Sequence, residues 1–167
     1  KSGTVYGLDP DRNGALVWQA RIGEGGPLGG VMYGAAADTV AAYISVADRD
    51  AKPPFAPGGL SALALEDGKR LWHAAAPTPG CSWGAADCSG AQPGATTAMP
   101  GVVFSGSLDG HIRAFAAADG KILWDFDTAR TFEAVNGITA RGGSVNGYPA
   151  ILADGMLYVN SGGSLLT

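Results

Sequence analysis

Apolar positions along this chain fall in short runs in which residues alternate in size or polarity. Clear cases are Leu60-Ser61-Ala62-Leu63-Ala64-Leu65, Ile112-Arg113-Ala114-Phe115-Ala116 and Val5-Tyr6-Gly7-Leu8-Asp9. A period of two is that of a β-strand packed on one face. Each run is followed by Asn13-Gly14, Asp67-Gly68 or Asp119-Gly120, and then by a second run carrying Trp18, Trp72 or Trp124. Glycine there tolerates the positive φ of a tight hairpin turn. The tryptophans lie a little over fifty residues apart. Self-similarity at that period indicates propeller blades or a solenoid.

A second pair of strands precedes each motif. Gly34–Ala37 turns near Asp38-Thr39 into Val40–Ser45, Thr96–Met99 turns at Pro100-Gly101 into Val102–Ser105, and Tyr148–Leu152 turns at Asp154-Gly155 into Met156–Val159. The unit therefore has four strands, an inner A, then B, C and a tryptophan-bearing D, which is the plan of a propeller blade. The expected fold is all-β: about three four-stranded antiparallel blades of a β-propeller, with tryptophan-docking repeats. The expected boundaries are C and D strands over 1–20, one blade over 34–73, another over 94–127, and the start of a further blade over 147–167. The A–B and C–D turns are minimal. The long segments 21–33, 46–59, 73–93 and 128–147 read as irregular D–A or B–C connections. In an up-and-down sheet both of those classes leave from one face, so that face is expected to carry function.

Composition agrees with this plan. The chain has 167 residues, of which 27 are Gly and 10 Pro, with 46% hydrophobic and 16% charged. That supports many short strands joined by glycine-rich turns. The net charge is −4 without a basic cluster, so nucleic acid is not an expected partner. The apolar runs are too short for a membrane span. Both ends read as interruptions of the repeat, since Lys1–Val5 falls inside a hairpin and 160–163 follow a strand. Cys81 and Cys88 share one Gly/Pro/Ala-rich segment without metal-ligand spacing, and no haem-attachment motif is present. They are either a local disulfide, which would imply an oxidising compartment, or two thiols.

The repeats resemble a known family. Tyr6-Gly7-Leu8-Asp9 followed by Gly14 and Trp18, and Ala114-Phe115 followed by Asp119-Gly120-Lys121 and Trp124, look like those of pyrroloquinoline quinone (PQQ) dehydrogenases. Polyvinyl-alcohol dehydrogenases are the nearest likeness, on Gly29–Gly34, Pro100–Gly110, Asp125–Thr128, Val135–Gly137 with Arg141–Ser144, and Met156–Gly162. The resemblance implies a periplasmic quinoprotein with an eight-bladed propeller and PQQ near its axis. It implies Ca2+ polarising the quinone, an aspartate base, and oxidation of a secondary or polymeric alcohol with electrons passed to cytochrome c. The catalytic Asp and the calcium ligands match nothing here and are expected upstream of Lys1, and no haem c lies in this chain. The remaining blades of the parent chain are then partners, and the chain alone is expected to be inactive and prone to self-association. The alternative is a non-catalytic propeller acting as a protein-binding scaffold.

The resemblance also assigns residues. Lys1-Ser2-Gly3 matches the cation-x-Gly that places a positive charge on the reactive quinone oxygen; otherwise Lys1 is an exposed lysine. Met32, Tyr33 and Gly34 stand where relatives carry Asn-Trp-Gly at the cofactor rim, the alternative for Tyr33 being inter-blade packing. Gln92, Gly94 and Thr96 lie where several relatives have Trp-Gly-Gly-Thr on the quinone plane; the Trp is missing, and Trp83 could supply an aromatic. Asp109 and Asp127 are expected to be structural. Arg141 and Asn146 could reach substrate or cap their loop, and His111 is expected to be exposed.

Overall fold

The computed structural model describes residues 1–81, 88–147 and 150–162. Trp83 and the Tyr148-Pro149 start of one expected strand lie outside the described residues. The chain is a succession of antiparallel sheets, with no α-helix among the described residues. A C–D pair comes first, β1 (Thr4–Asp9) and β2 (Ala15–Arg21), joined through a 3-10 turn at Pro10–Arg12. Two complete blades follow in chain order. They are β3 (Ala36–Ala37), β4 (Ala41–Ser45), β5 (Leu60–Ala64) and β6 (Arg70–Ala74), then β7 (Thr97–Met99), β8 (Val102–Gly106), β9 (His111–Ala116) and β10 (Ile122–Asp127). After a hairpin of β11 (Thr131–Glu133) and β12 (Thr139–Arg141), β13 (Ile151–Ala153) and β14 (Met156–Tyr158) form an A–B pair.

The two full blades use one register. Ala41 faces Ala64 and Ser45 faces Leu60 in the first; Val102 faces Ala116 and Gly106 faces Ile112 in the second. The core lies between sheets. Ala41, Tyr43, Leu60 and Ala62 of one blade pack with Val103 and Phe115 of the next, and Ile22, Ile44, Val46 and Leu63 form a second cluster against Val5 and Trp18. Leu60, Leu63 and Phe115 are each 0% exposed. Burying side chains of this size contributes about 1.5–3 kcal/mol apiece.

Two of the three repeating tryptophans lock neighbouring blades. Trp18 Nε1 donates to Leu65 O at 2.8 Å, and Trp72 Nε1 donates to Ala117 O at 2.9 Å. Each indole lies over the C–D turn glycine of the following blade, so close that a Cβ would fall 2.5 Å from Trp18 at Gly68 and 2.6 Å from Trp72 at Gly120. Both glycines have positive φ, 72° and 73°. Trp124 differs: it is 43% exposed and stacks on Phe126, with centroids 5.6 Å apart.

The long connection after β10 is not irregular throughout. It folds as the β11–β12 hairpin, with Phe132 opposite Ala140 and a turn at Asn136-Gly137, where Gly137 has φ 76°. Arg130 lies over the Phe126 and Phe132 rings at 4.7 and 5.0 Å and holds the hairpin base against the blade.

Candidate functional site

The D–A connections return to the inner strands A, and there three successive blades are stitched together. Thr96 N donates to Gly34 O and Ala95 N to Gly147 O, both at 3.2 Å. Thr96 Oγ1 accepts from Ala36 N and donates to Tyr43 O, each at 2.8 Å. Ser45 Oγ donates to Gly94 O at 2.5 Å, and Gln92 N donates to Val46 O at 3.0 Å. A threonine hydroxyl can do this because it donates and accepts at one atom. Gly34, Gly94 and Thr96 therefore meet at one rim, as do Asn146 and Gly147 of the next connection.

The rim is open at Gly34 and closed at Gly94. Nothing lies within 4 Å of where a Cβ would stand on the exposed Gly34, whereas Gly94 is buried and its Cβ position is already in contact with Gly147 N at 3.6 Å. Tyr33 is 48% exposed beside them, with its hydroxyl 4.0 Å from the Cβ position of Gly147, while Met32 is half-buried. Gln92 is 1% exposed, and neither its amide oxygen nor its amide nitrogen has a hydrogen-bond partner. Buried polar atoms left unpaired cost about 1–3 kcal/mol. The open space at Gly34 fits a flat group lying against the backbone better than a sealed core does.

Lys1 lies against the loop that carries Gly25 and Gly30. Its carbonyl accepts from Gly26 N at 3.1 Å, and its ammonium donates to Pro27 O at 2.8 Å, exposed. Sequence reasoning missed the anchor of this loop. Asp48, 2% exposed with φ 38°, accepts from Glu24 N at 2.6 Å, Gly25 N at 3.0 Å and Gly30 N. One carboxylate thus fastens the 22–33 connection to the 46–59 connection. No repeat or motif marks this aspartate; only the glycine-rich loop it serves gives a signal.

Away from the rim, Asp109 and Arg113 form a buried ion pair at 2.9 Å, their side chains 0% and 2% exposed. Arg113 also donates to Ser107 Oγ at 2.7 Å and to Asp125 Oδ2 at 2.9 Å, and Ser107 Oγ donates to Asp109. Burial raises the Asp109 carboxyl, but the Arg113 and Ser107 hydrogen bonds outweigh it and hold the group below its ordinary value. His111 departs from the exposed position expected of it: its side chain is 19% exposed, and Nδ1 meets Asp125 Oδ1 at 2.5 Å. The hairpin brings β10 alongside β9, with Asp125 opposite Arg113, and this places both partners on one carboxylate. Asp127 accepts from Ala129 N at 2.7 Å. Arg141 is exposed on β12 and Asn146 is half-buried near the rim. Cys81 and Cys88 are joined as a disulfide. Among the described residues no cluster of His, Cys, Asp or Glu could hold a metal ion.

Comparison with known proteins agrees with this fold. A family model of PQQ-type repeats, described as outer membrane protein assembly factor BamB, matches residues 56–167. A polyvinylalcohol dehydrogenase of a Pseudomonas species is 45% identical over 163 residues, 97% of this chain and 25% of that protein. Another from a Sphingopyxis species is 42% identical over 166 residues, again 97% of this chain and 25% of the relative. The chain thus spans about a quarter of the length of these curated relatives. The crystal structure of BamB from Moraxella catarrhalis matches with a TM-score of 0.61 at 18% identity, over 96% of this chain and 41% of that one, a likeness of fold.

Proposed function

The chain belongs to the PQQ-type repeat family described as outer membrane protein assembly factor BamB, and on that premise we propose that it forms about three blades and part of the cofactor rim of a quinoprotein that oxidises an alcohol. The observation that carries this reading is the 45% identity, running over 97% of the chain, to a protein named polyvinylalcohol dehydrogenase. The substrate is then a secondary or polymeric alcohol.

The rim residues suit such a cofactor. Bound PQQ supplies the acceptor for the hydride leaving the alcohol carbon; the protein's part is to hold and polarise it. Gly34 would let the ring plane approach the backbone, Met32 and Tyr33 would wall its edge, and the buried Gly94 would support the rim from behind. Gln92 could meet a polar edge with its unpaired amide, and the rigidity of the rim comes from Thr96. Lys1 would exchange Pro27 O for a quinone oxygen and stabilise the negative charge that develops there. In the whole protein the aspartate base, Ca2+ and its ligands come from other segments, and cytochrome c takes the electrons. The disulfide supports an extracytoplasmic setting, the periplasm in a Gram-negative cell.

A second reading is favoured by the family's description as an outer membrane protein assembly factor and by the fold shared with BamB: a propeller that binds proteins and performs no chemistry. The full-length protein separates the two. Addition of PQQ with Ca2+ should produce long-wavelength quinone absorbance and dye-linked oxidation of secondary alcohols. Failure to take up cofactor at any concentration would leave the scaffold reading.

A further inference from the structure

The B–C connection 46–59 and the D–A connection 73–93 leave from the end of the sheets that also carries the rim. Between them lies a cleft of about 490 Å³, within the range of ligand pockets, about 300–1,000 Å³. Arg49, Asp50 and Pro57 stand on one side of it, and Pro77, Pro79 and Cys88 on the other. The two sides meet at the base: a Cβ on Gly58 would fall 2.8 Å from the Cβ of Ala76, and one on Gly90 would fall 2.9 Å from the same atom. Both sides are exits of complete blades, so walls and base are supplied by the described residues themselves. The base runs on into the rim. Gly58 N donates to Ala47 O at 2.9 Å, and Gln92 N donates to the adjoining Val46 O at 3.0 Å.

The chemistry of the cleft narrows what it can hold. Pro57, Pro77 and Pro79 have fixed φ and present C–H faces without a backbone donor, and Cys88 is tied to Cys81 by the disulfide. A site built this stiffly loses little freedom when a flexible ligand settles in it. Its described charged groups are one of each sign, Arg49 and Asp50. That balance suits a neutral ligand rather than an ion, and a hydroxyl meets either group because it donates and accepts at one atom. Methylenes for the proline faces and hydroxyls for the polar groups together describe a polyhydroxylated carbon chain. None of the residues lining the cleft is a rim residue, so a ligand that engages both must be long. We propose that the cleft is a subsite for a polymeric alcohol, holding the part of the polymer beyond the carbon being oxidised and setting the preference for polymer over small alcohols. This rests on the reading of the chain as part of an alcohol-oxidising quinoprotein.

Ala56→Trp and Thr78→Trp fill the cleft from exposed positions on its two sides. In the full-length protein loaded with PQQ and Ca2+, each should lower kcat/KM for poly(vinyl alcohol) by at least about tenfold. Isopropanol, too short to reach from the rim into the cleft, should be oxidised as it is by the parent. Titration calorimetry of poly(vinyl alcohol) into the cofactor-free protein should show the same weakening without turnover. Thr78→Arg provides another filling variant should a tryptophan variant fail to keep the far-ultraviolet circular dichroism of the parent. Folded variants that bind and oxidise polymer like the parent, or that lose isopropanol turnover in equal measure, would overturn the proposal. A parent that oxidises isopropanol yet neither binds nor oxidises polymer would do the same. A parent that oxidises no alcohol, but binds polymer more tightly than the filled variants do, would overturn the catalytic reading and leave the subsite standing.

Discussion

Arg113→Met removes the cation from Asp109, the most deeply buried charge among the described residues, while keeping most of the side-chain volume. Arg113 supplies hydrogen bonds to Ser107, Asp109 and Asp125, and Asp109 is 0% exposed. Breaking a buried pair from one side costs about 3–5 kcal/mol, because the remaining charge keeps its desolvation and loses its partner. With a urea slope of about 2 kcal/mol per molar, the unfolding midpoint at neutral pH should fall by roughly 2 M. The dependence on pH should also reverse. In the parent chain Asp109 titrates below its unfolded value, so its contribution is present above about pH 3.9 and is lost as pH falls through the lower folded value. Without Arg113 burial dominates and the carboxyl titrates above its unfolded value. The variant should then lose stability as pH rises from about 4 toward neutrality. Urea titrations followed by tryptophan fluorescence at dilute concentration, from pH 4 to 8, measure both effects. A loss under about 1 kcal/mol at pH 7, or an unchanged pH profile, would refute the view that this pair is held by one cation.

The disulfide closes a loop of sequence separation 7, for which chain entropy gives about 2.5 kcal/mol. Reduction should lower the urea midpoint by about 1 M, and thiol counting on unreduced protein should find no free cysteine. Gly14→Ala adds only the strain of a left-handed backbone, about 1–2 kcal/mol, because its surroundings are open. Gly120→Ala adds the same strain and also drives a methyl into Trp72, so dilute urea melts should show it costing at least about 1–3 kcal/mol more. Lys1→Ala in the full-length protein should lower kcat by about a hundredfold and leave the denaturation midpoint unmoved, since its one side-chain bond is exposed; steady-state kinetics beside urea melts check both.

The repeat was legible because its parts are local. Alternation within Leu60–Leu65 and Ile112–Ala116, a glycine at each C–D turn and a tryptophan four residues later specify a strand, a turn and a strand without distant partners. The β11–β12 hairpin was missed because its strands are three residues each, too short for alternation to stand out. Its Asn136-Gly137 turn was the available signal. His111 was misplaced because exposure was inferred from its neighbours in sequence, whereas its environment is set by Asp125 on the adjoining strand. At the rim, Gly34, Gln92, Gly94 and Thr96 are picked out by resemblance; Asp48 is not, and that the Gln92 amide is left unpaired is decided by packing.

Periodicity, turn residues and the spacing of the indoles alone settled that this chain makes four-stranded blades, since backbone hydrogen bonding and one-sided burial act over a few residues at a time. Which tryptophans are docked, which carboxylate is buried and which loops share a rim were decided by tertiary structure. Those outcomes depend on where one blade sits against the next: the carbonyl that receives Trp72 lies 45 residues away, and the Thr96 hydroxyl is 53 residues from the Tyr43 carbonyl to which it donates.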